Sequence, residues 1–209
     1  MPIMDREELG SSAIAKKLIE NKIPSRVGSQ DATVYSFSPE AQKTAESRMG
    51  WATLASKPPY DPSQIAVVAQ QARCEGLDAV VLIGQGGSTQ APQTITKLHS
   101  LEIPDEIPFR TMDSISPVYV NHILGSSDPA RTLYIVSSKS GSTLEPTMLA
   151  RVAWKYVCAH LGKDKAGRRF VAITDPGSEL ESVARANGWR MVIHGEPNVG
   201  GRYSALSVF

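Results

Sequence analysis

The feature that most constrains the fold of this chain is a regular alternation between short apolar runs and helix-length segments. Five runs rich in β-branched residues are predicted to be strands: residues 79–83, 109–112, 133–136, 170–173 and 190–193. The segments between them have the length and apolar spacing of helices. Parallel strands joined by helices form right-handed crossovers that cover both faces of a sheet. The sequence therefore predicts an α/β protein, a three-layer sandwich around a mainly parallel five-stranded sheet.

A proline-rich stretch at residues 57–62 separates this region from the start of the chain. Upstream of it, apolar spacing over residues 5–21 predicts one helix, and Ser38-Pro39-Glu40 has the form of a cap that opens a second helix ending near Gly50. Prolines cannot continue a helix, so the stretch is interpreted as a connector. We expect residues 1–62 to form a helical N-terminal arm and connector, and residues 63–209 to form the main domain.

Composition favours a small-molecule partner. The 209 residues carry a formal net charge of +1, which does not suggest nucleic-acid binding. No apolar run approaches the ~18 residues of a membrane helix, and no secretory leader is recognised. Cys74 and Cys158 are far apart and are interpreted as reduced. We expect a cytoplasmic protein without nucleic-acid or membrane partners.

The turn after the third predicted strand has an unusual composition. Residues 137–143 read SSKSGST, with five hydroxyls, one ammonium group and one glycine. Free N–H groups at a helix start attract anions, hydroxyls and a lysine can surround a phosphate, and glycine lets the backbone approach it. The simpler alternative is that Ser142 or Thr143 caps the helix, with Glu145 in the favourable first turn. Because a cap needs only one hydroxyl, the composition favours phosphate binding.

A second glycine-rich turn, GQGGST at residues 84–89, follows the first predicted strand. Thr89 stands where a dinucleotide-binding G-x-G-x-x-G motif requires its third glycine, and G-x-x-x-x-G-K is not matched either, so NAD and ATP are disfavoured. The backbone N–H groups and Ser88 can still bind an anion. Both turns lie at the carboxyl ends of strands, where parallel sheets bind ligands.

Three further segments are ambiguous on their own. Gly200-Gly201-Arg202 follows the last strand and would bring a guanidinium group to the same edge, although a glycine turn with a surface arginine explains it equally simply. Residues 175–178 are interpreted as a turn and helix cap, and the basic run at 163–169 as a solvated loop. No histidine and carboxylate pair has ligand spacing, so no metal is predicted.

Four segments together resemble the sugar isomerase domain of the glucose-6-phosphate isomerase family: VVLIGQGGSTQAP, IVSSKSGSTLEP, VAITDPGSELESVARANG and NVGGRYSALSVF. The resemblance covers about Leu77 to Phe209 and is closest to the isomerase part of bacterial transaldolase/glucose-6-phosphate isomerase fusions. It implies interconversion of glucose 6-phosphate and fructose 6-phosphate through an enediolate, with a sugar phosphate as partner and no metal or organic cofactor.

The resemblance also implies roles for individual residues. The substrate phosphate is held by seven residues of the two turns: Gly87, Ser88, Ser138, Lys139, Ser140, Ser142 and Thr143. Arg202 is implied to stabilise the enediolate, and Glu145 matches an acidic position beside the active site.

The catalytic base of the family, a glutamate, and its ring-opening histidine and lysine come from sequence beyond the Gly-Gly-Arg segment. Aldose–ketose isomerisation needs such a base, so we expect an isomerase domain that is incomplete at its C-terminal end and supplies the phosphate-binding half. A non-catalytic sugar-phosphate-binding module and an inactive fragment are the alternatives. A second copy of the chain and a complementary chain are the protein partners left open.

Overall fold

The sheet is the centre of the molecule and confirms the predicted α/β class. The computed structural model describes residues 12–35, 37–56, 60–100 and 107–209, apart from the side chains at positions 202, 204 and 206. Within these residues, five parallel strands form one sheet in the order β2-β1-β3-β4-β5. The strands are β1 (Ala79–Gly84), β2 (Phe109–Met112), β3 (Thr132–Ser137), β4 (Phe170–Thr174) and β5 (Met191–His194). Each lies within one residue of its predicted limits.

The described helices lie before and between the strands. They are α1 (Ala13–Glu20), α2 (Ile23–Gly28), α3 (Pro39–Glu46), α4 (Pro62–Cys74), α5 (Gly87–His99), α6 (Pro117–Gly125), α7 (Leu144–Leu161), α8 (Lys163–Gly167) and α9 (Glu179–Ala186). Short 3₁₀ segments occur at Ala32–Val34, Gly50–Thr53 and Gly201–Leu206, the last with a kink at Tyr203. Residues 5–11 of the predicted first helix and residues 57–59 of the predicted connector lie outside the described residues.

The direction of the chain decides which face each helix covers. From β1 the chain moves outward to β2, then returns past β1 to β3 and continues to β4 and β5. Right-handed connections therefore place α5 on one face and α6, α7 and α9 on the other. The main core lies on the second face, where α7 buries Leu149, Ala153 and Val157 at helical spacing against Tyr134 and Phe170. Helix α4 covers part of the first face.

The basic run at residues 163–169 corrects one prediction, because most of it is helix α8 and not a solvated loop. Gly162, with φ +77°, ends α7 and redirects the chain. Ala166 is fully buried, and an added Cβ at Gly167 would collide with the backbone of Gly188. Lys163, Asp164 and Lys165 stay in solvent, while Ala166 is buried and Gly167 packs against the turn before β5.

Part of the predicted N-terminal arm lies against the C-terminal segment of the chain. Met49 forms an antiparallel bridge with Val199, and Gly50 N donates to Asn198 O at 3.0 Å. Met49 and Val199 are both buried. The boundary between arm and domain at residue 62 stays a prediction. Among the described residues, no helix combines the length and the apolar character needed to cross a membrane, and the cytoplasmic location also stays a prediction.

Candidate functional site

A cavity of about 530 Å³ opens at the carboxyl ends of β1 and β3. The strand order reverses between these two strands, since β2 lies on one side of β1 and β3 on the other. Connections leave such a point towards opposite faces and open a crevice in which doubly wound sheets bind their ligands. The cavity is lined by both glycine- and hydroxyl-rich turns and by residues from three other segments of the chain, at positions 47–48, 175 and 197–201.

The β1–α5 turn brings backbone close to the cavity. Gly86 has φ +62° and precedes the first residue of α5, a conformation that residues with a side chain rarely adopt. At Gly84 an added Cβ would lie 2.7 Å from Ser137 O, so the two turns touch directly. Gln85, Gly87 and Ser88 line the cavity. The N–H groups of Gly87 and Ser88 start α5, where the helix provides no acceptor for them, and both residues line this space.

The β3–α7 turn is fixed by its neighbours. Ser138 N donates to Ile173 O at 3.0 Å, and Asp175 N donates to Lys139 O at 2.9 Å, which continues the pairing of β3 with β4 beyond the strands. Gly141 has φ +67°, and a Cβ there would lie 2.8 Å from Ser178 Cβ. The turn is therefore held against the β4–α9 turn at a distance that only glycine allows.

The hydroxyls of this turn are available for a ligand. Ser137 and Ser138 both line the cavity, and their Oγ atoms are buried without a hydrogen-bond partner among the described residues. A buried hydroxyl without a partner is costly, so this pair marks the turn as a candidate site for a polar ligand. Thr143 stands at the N-cap of α7 but its side chain makes no capping bond. Simple capping therefore does not explain why hydroxyls accumulate here.

The outer hydroxyls of the turn form a small network. Ser140 Oγ lies 3.4 Å from Thr143 Oγ1, and both residues line the cavity. Ser142 is exposed, and its N–H and Oγ lie 3.3 and 3.2 Å from Ser140 Oγ. Ser142 thus contacts Ser140 and is outside the cavity lining.

Lys139 lines the cavity, but its ammonium group is already engaged. Nζ donates to both carboxylate oxygens of Asp175, at 2.8 and 2.9 Å, and to Glu196 O at 2.6 Å. These three acceptors use the three N–H bonds of a lysine. Lys139 therefore connects the segments that follow β3, β4 and β5. Direct contact between Lys139 and a phosphate stays a prediction.

Comparison with known proteins identifies the family of the chain. Residues 70–209 match the family model described as phosphoglucose isomerase. The chain belongs to the phosphoglucose isomerase family. A glucose-6-phosphate isomerase of Thermus thermophilus is 32% identical over 163 residues, which cover 77% of this chain and 37% of that protein. One of Synechococcus sp. (strain JA-3-3Ab) is 40% identical over 133 residues, 60% of this chain and 23% of that protein. The chain thus spans less than two-fifths of these relatives.

Solved structures show the same fold. A protein of Thermus thermophilus, described as hypothetical, superimposes with a TM-score of 0.67 and 28% identity over 92% of this chain and 43% of its own. A glucose-6-phosphate isomerase from Chlamydia trachomatis superimposes with a TM-score of 0.57 and 24% identity over 86% of this chain and 32% of its own. The predicted sandwich is therefore confirmed as the fold of this phosphoglucose isomerase family member.

Two residues that the family resemblance singled out lie at or beyond the edge of the cavity. Gly201 lines the cavity, and Arg202 follows it in the 3₁₀ segment, with a side chain outside the described part of the structure. Glu145 lies in the first turn of α7, is half-buried, and is outside the cavity lining. The roles of Arg202 and Glu145 stay predictions.

Sequence reasoning assigned no site role to several residues of the cavity wall, among them Arg48, Gln85, Ser137 and Asp175. Gln85 and Ser137 belong to the two glycine- and hydroxyl-rich turns, so their signal was already present. Asp175 follows β4 at the same edge, and its position after a strand was a usable signal. Arg48 had none, because only the bridge between Met49 and Val199 brings it to the cavity.

His194 and Glu181 form a separate cluster beside the β4–α9 turn. His194 Nε2 lies 3.0 Å from Glu181 Oε1, and Gly177 N donates to Glu181 Oε2 at 2.7 Å. The Gly177 N–H, then Arg185 and His194, lower the pKa of Glu181 to about 2. This cluster stabilises the turn on which Gly141 rests. Across the described residues, no group of three histidine, cysteine or acidic side chains is placed to hold a metal.

Proposed function

We propose that this chain forms the sugar-phosphate-binding half of a glucose-6-phosphate isomerase, an enzyme that interconverts glucose 6-phosphate and fructose 6-phosphate through an enediolate. The observation that carries the proposal is the pair of buried, unpartnered hydroxyls of Ser137 and Ser138, two residues of the wall of the cavity where the strand order reverses. We propose a sugar phosphate as the ligand because the chain belongs to the phosphoglucose isomerase family.

In this proposal the phosphoryl group lies between the two turns. The hydroxyls of Ser138, Ser140 and Thr143 donate to its oxygens from one side, and Ser88 with the N–H groups that start α5 donates from the other. The positive ends of α5 and α7 lie at the same edge and favour the negative charge. Ser142 contributes by orienting Ser140.

The sugar then extends towards the segment around Gly201, which forms another part of the cavity wall. Proton transfer between C1 and C2 produces an enediolate whose negative oxygen needs a cation or a hydrogen-bond donor. We assign this role to Arg202, next to Gly201. Stabilising the enediolate lowers the activation barrier of proton transfer. The proposed reaction therefore uses no cofactor bound by the two turns.

We assign the catalytic base of the isomerisation to a residue outside the described cavity wall. Asp175 is the one carboxylate among the described residues that line the cavity, and both its oxygens accept from Lys139. It is therefore engaged in holding the turns together. The same observation favours a second candidate function for the chain by itself, a sugar-phosphate-binding module without turnover.

Calorimetric titration with glucose 6-phosphate tests the binding site. Ser138→Ala/Thr143→Ala removes two hydroxyls that donate to a charged group, so we expect at least about a tenfold weaker affinity. The matched control is Thr94→Ala/Ser126→Ala, which removes two exposed hydroxyls that bond to helix carbonyls outside the cavity. Unchanged affinity in the first variant would remove the basis for the proposed site.

A coupled isomerase assay on the same chain separates the two candidate functions. Binding without turnover is the expected result, because a base is lacking in the described cavity wall. Turnover by the unassisted chain would show that our assignment of the base is wrong and would exclude the non-catalytic module.

A further inference from the structure

Arg48 belongs to the wall of the cavity although it comes from the predicted N-terminal arm. Its main chain is fixed by contacts with the segment after β5, since Gly200 N donates to Arg48 O at 3.4 Å and Met49 bridges Val199. Met49 is only 2% exposed, which anchors the residue next to Arg48. Gly50 packs so closely on Asn198 that an added Cβ would lie within 2.5 Å of its Oδ1. Arg48 is thus held at the cavity by a tightly packed seam.

Among the described side chains that line the cavity, Arg48 is also the cation without a bonded partner. Among the lining residues whose side chains are described, the cations are Arg48 and Lys139. Lys139 has no N–H bond left after Asp175 and Glu196. The Arg48 side chain is exposed and has neither a hydrogen bond nor an ion pair within the described structure. Its five N–H donors are free for a ligand.

The chemistry of the substrate calls for such a group. A phosphate monoester carries nearly two negative charges at neutral pH, whereas hydroxyls and backbone N–H groups are neutral donors. The Lys139 charge is offset by Asp175. A guanidinium group donates two parallel hydrogen bonds to phosphate oxygens and supplies a full positive charge.

We propose that the Arg48 side chain extends from the seam beside Gly200 across the cavity, binds the phosphoryl group and distinguishes phosphorylated from unphosphorylated sugars. This inference rests on the proposed function, and it makes Arg48 of the predicted N-terminal arm part of the substrate site. Trp51 lies shortly after Arg48 in the chain and stacks on Tyr203, with ring centroids 5.1 Å apart. Binding at Arg48 is therefore expected to change the fluorescence of the segment that carries Trp51.

The test compares Arg48→Met, Arg48→Lys and the control Lys43→Met. Lys43 is an exposed cation of α3, in the same arm but outside the cavity lining. Calorimetry on the full 209-residue chain measures the affinity for glucose 6-phosphate and for inorganic phosphate. We expect Arg48→Met to weaken both ligands by about 10- to 100-fold. Arg48→Lys keeps the positive charge but loses the paired N–H donors of the guanidinium group, so about a 3- to 10-fold loss of affinity is expected. Lys43→Met should change the affinity by no more than about twofold.

The outcomes separate this inference from the proposed function. Normal affinity in Arg48→Met together with weak binding in Ser138→Ala/Thr143→Ala would overturn the role of Arg48 and leave the phosphate site standing. A wild-type chain that binds neither ligand, or normal affinity in both variants, would overturn both proposals. Equal losses of affinity in Arg48→Met and Lys43→Met would mean that Arg48 acts only as one of many surface charges. That result would also count against the inference. The melting temperature of Arg48→Met, expected to match the wild type because Arg48 is exposed, confirms that the variant is folded.

Discussion

The two turns of the cavity follow neighbouring strands but are stabilised in different ways. In the β1–α5 turn, Gly86 O accepts hydrogen bonds from Thr89 N, Thr89 Oγ1 and Gln90 N, so the turn is held by its own helix. In the β3–α7 turn, Lys139 O accepts from Asp175 N and from Thr174 Oγ1, so the turn is held by β4 and the residues after it. The first turn offers backbone N–H groups, whose direction the helix itself fixes. The second offers side-chain hydroxyls, which need an external scaffold to stay in place.

The largest expected effect comes from Gly141→Ala, which disturbs the contact between the β3–α7 turn and the residues after β4. We expect it to lower the stability of the protein. The substitution combines a strained φ of +67° with a Cβ 2.8 Å from Ser178 Cβ and 2.9 Å from Leu180 N. We expect the free energy of unfolding, measured by chemical denaturation, to fall by about 2–4 kcal/mol. Gly177→Ala is the matched control, because φ is +76° there but no atom lies within 4 Å of the added Cβ. A loss of about 1–2 kcal/mol is expected for the control. Equal losses would argue against the contact between the turns.

The ion pair of Lys139 and Asp175 provides the second way to break the scaffold. Their side chains are 16% and 22% exposed, so removing one partner leaves a poorly solvated charge. A double-mutant cycle of Lys139→Met and Asp175→Asn should give a coupling of about 1–2 kcal/mol in the free energy of unfolding. The pair of Arg131 and Asp78 is the control, at 62% and 50% exposure, with about 0–1 kcal/mol expected. Additive effects at Lys139 and Asp175 would mean that the bridge does not stabilise the turn.

A smaller effect, on ligand affinity, sharpens the comparison between the turns. Ser88→Ala keeps the backbone N–H groups of the first turn, so the dissociation constant for glucose 6-phosphate should rise only about threefold. Ser138→Ala removes a buried hydroxyl that we propose to donate to the ligand, and about a tenfold rise is expected. Calorimetric titration of both variants measures the difference. The reverse order would show that the first turn acts through its side chain.

The smallest expected effect concerns Glu181, which supports the β4–α9 turn beneath Gly141. Its pKa is lowered from 4.5 to about 2, so the folded state holds the ionised form more strongly than the unfolded chain does. The stabilisation is complete above about pH 4.5 and is lost as the pH falls towards 2. The difference in melting temperature between wild type and Glu181→Gln should shrink across this range. A difference that stays constant down to pH 2 would disprove this account of the turn.

The sequence predicted the sheet and the two turns because their signals are local. β-Branched runs define the strands, and the hydroxyls and glycines of residues 137–143 are contiguous. The pairing of Lys139 with Asp175 could not be predicted from either segment alone, because it depends on β3 lying beside β4. The place of Arg48 in the cavity wall could not be predicted for the same reason. Helix α8 was missed because its charged residues obscured the buried Ala166 and Gly167, and Gly167 packs on Gly188, which lies beyond the next strand.

The bridge between Met49 and Val199 has a consequence for the order in which the molecule assembles. Translation produces the early partner long before the late one, and β1 to β5 are all made in between. The strands can pair as they emerge, but the part of the cavity wall around Arg48 and Gly201 forms only with the residues that follow β5. A nascent chain can therefore form its sheet before this part of the cavity wall. In the finished protein, the same short bridge can open while every strand stays paired, so it is expected to exchange its amide hydrogens sooner than the strands do.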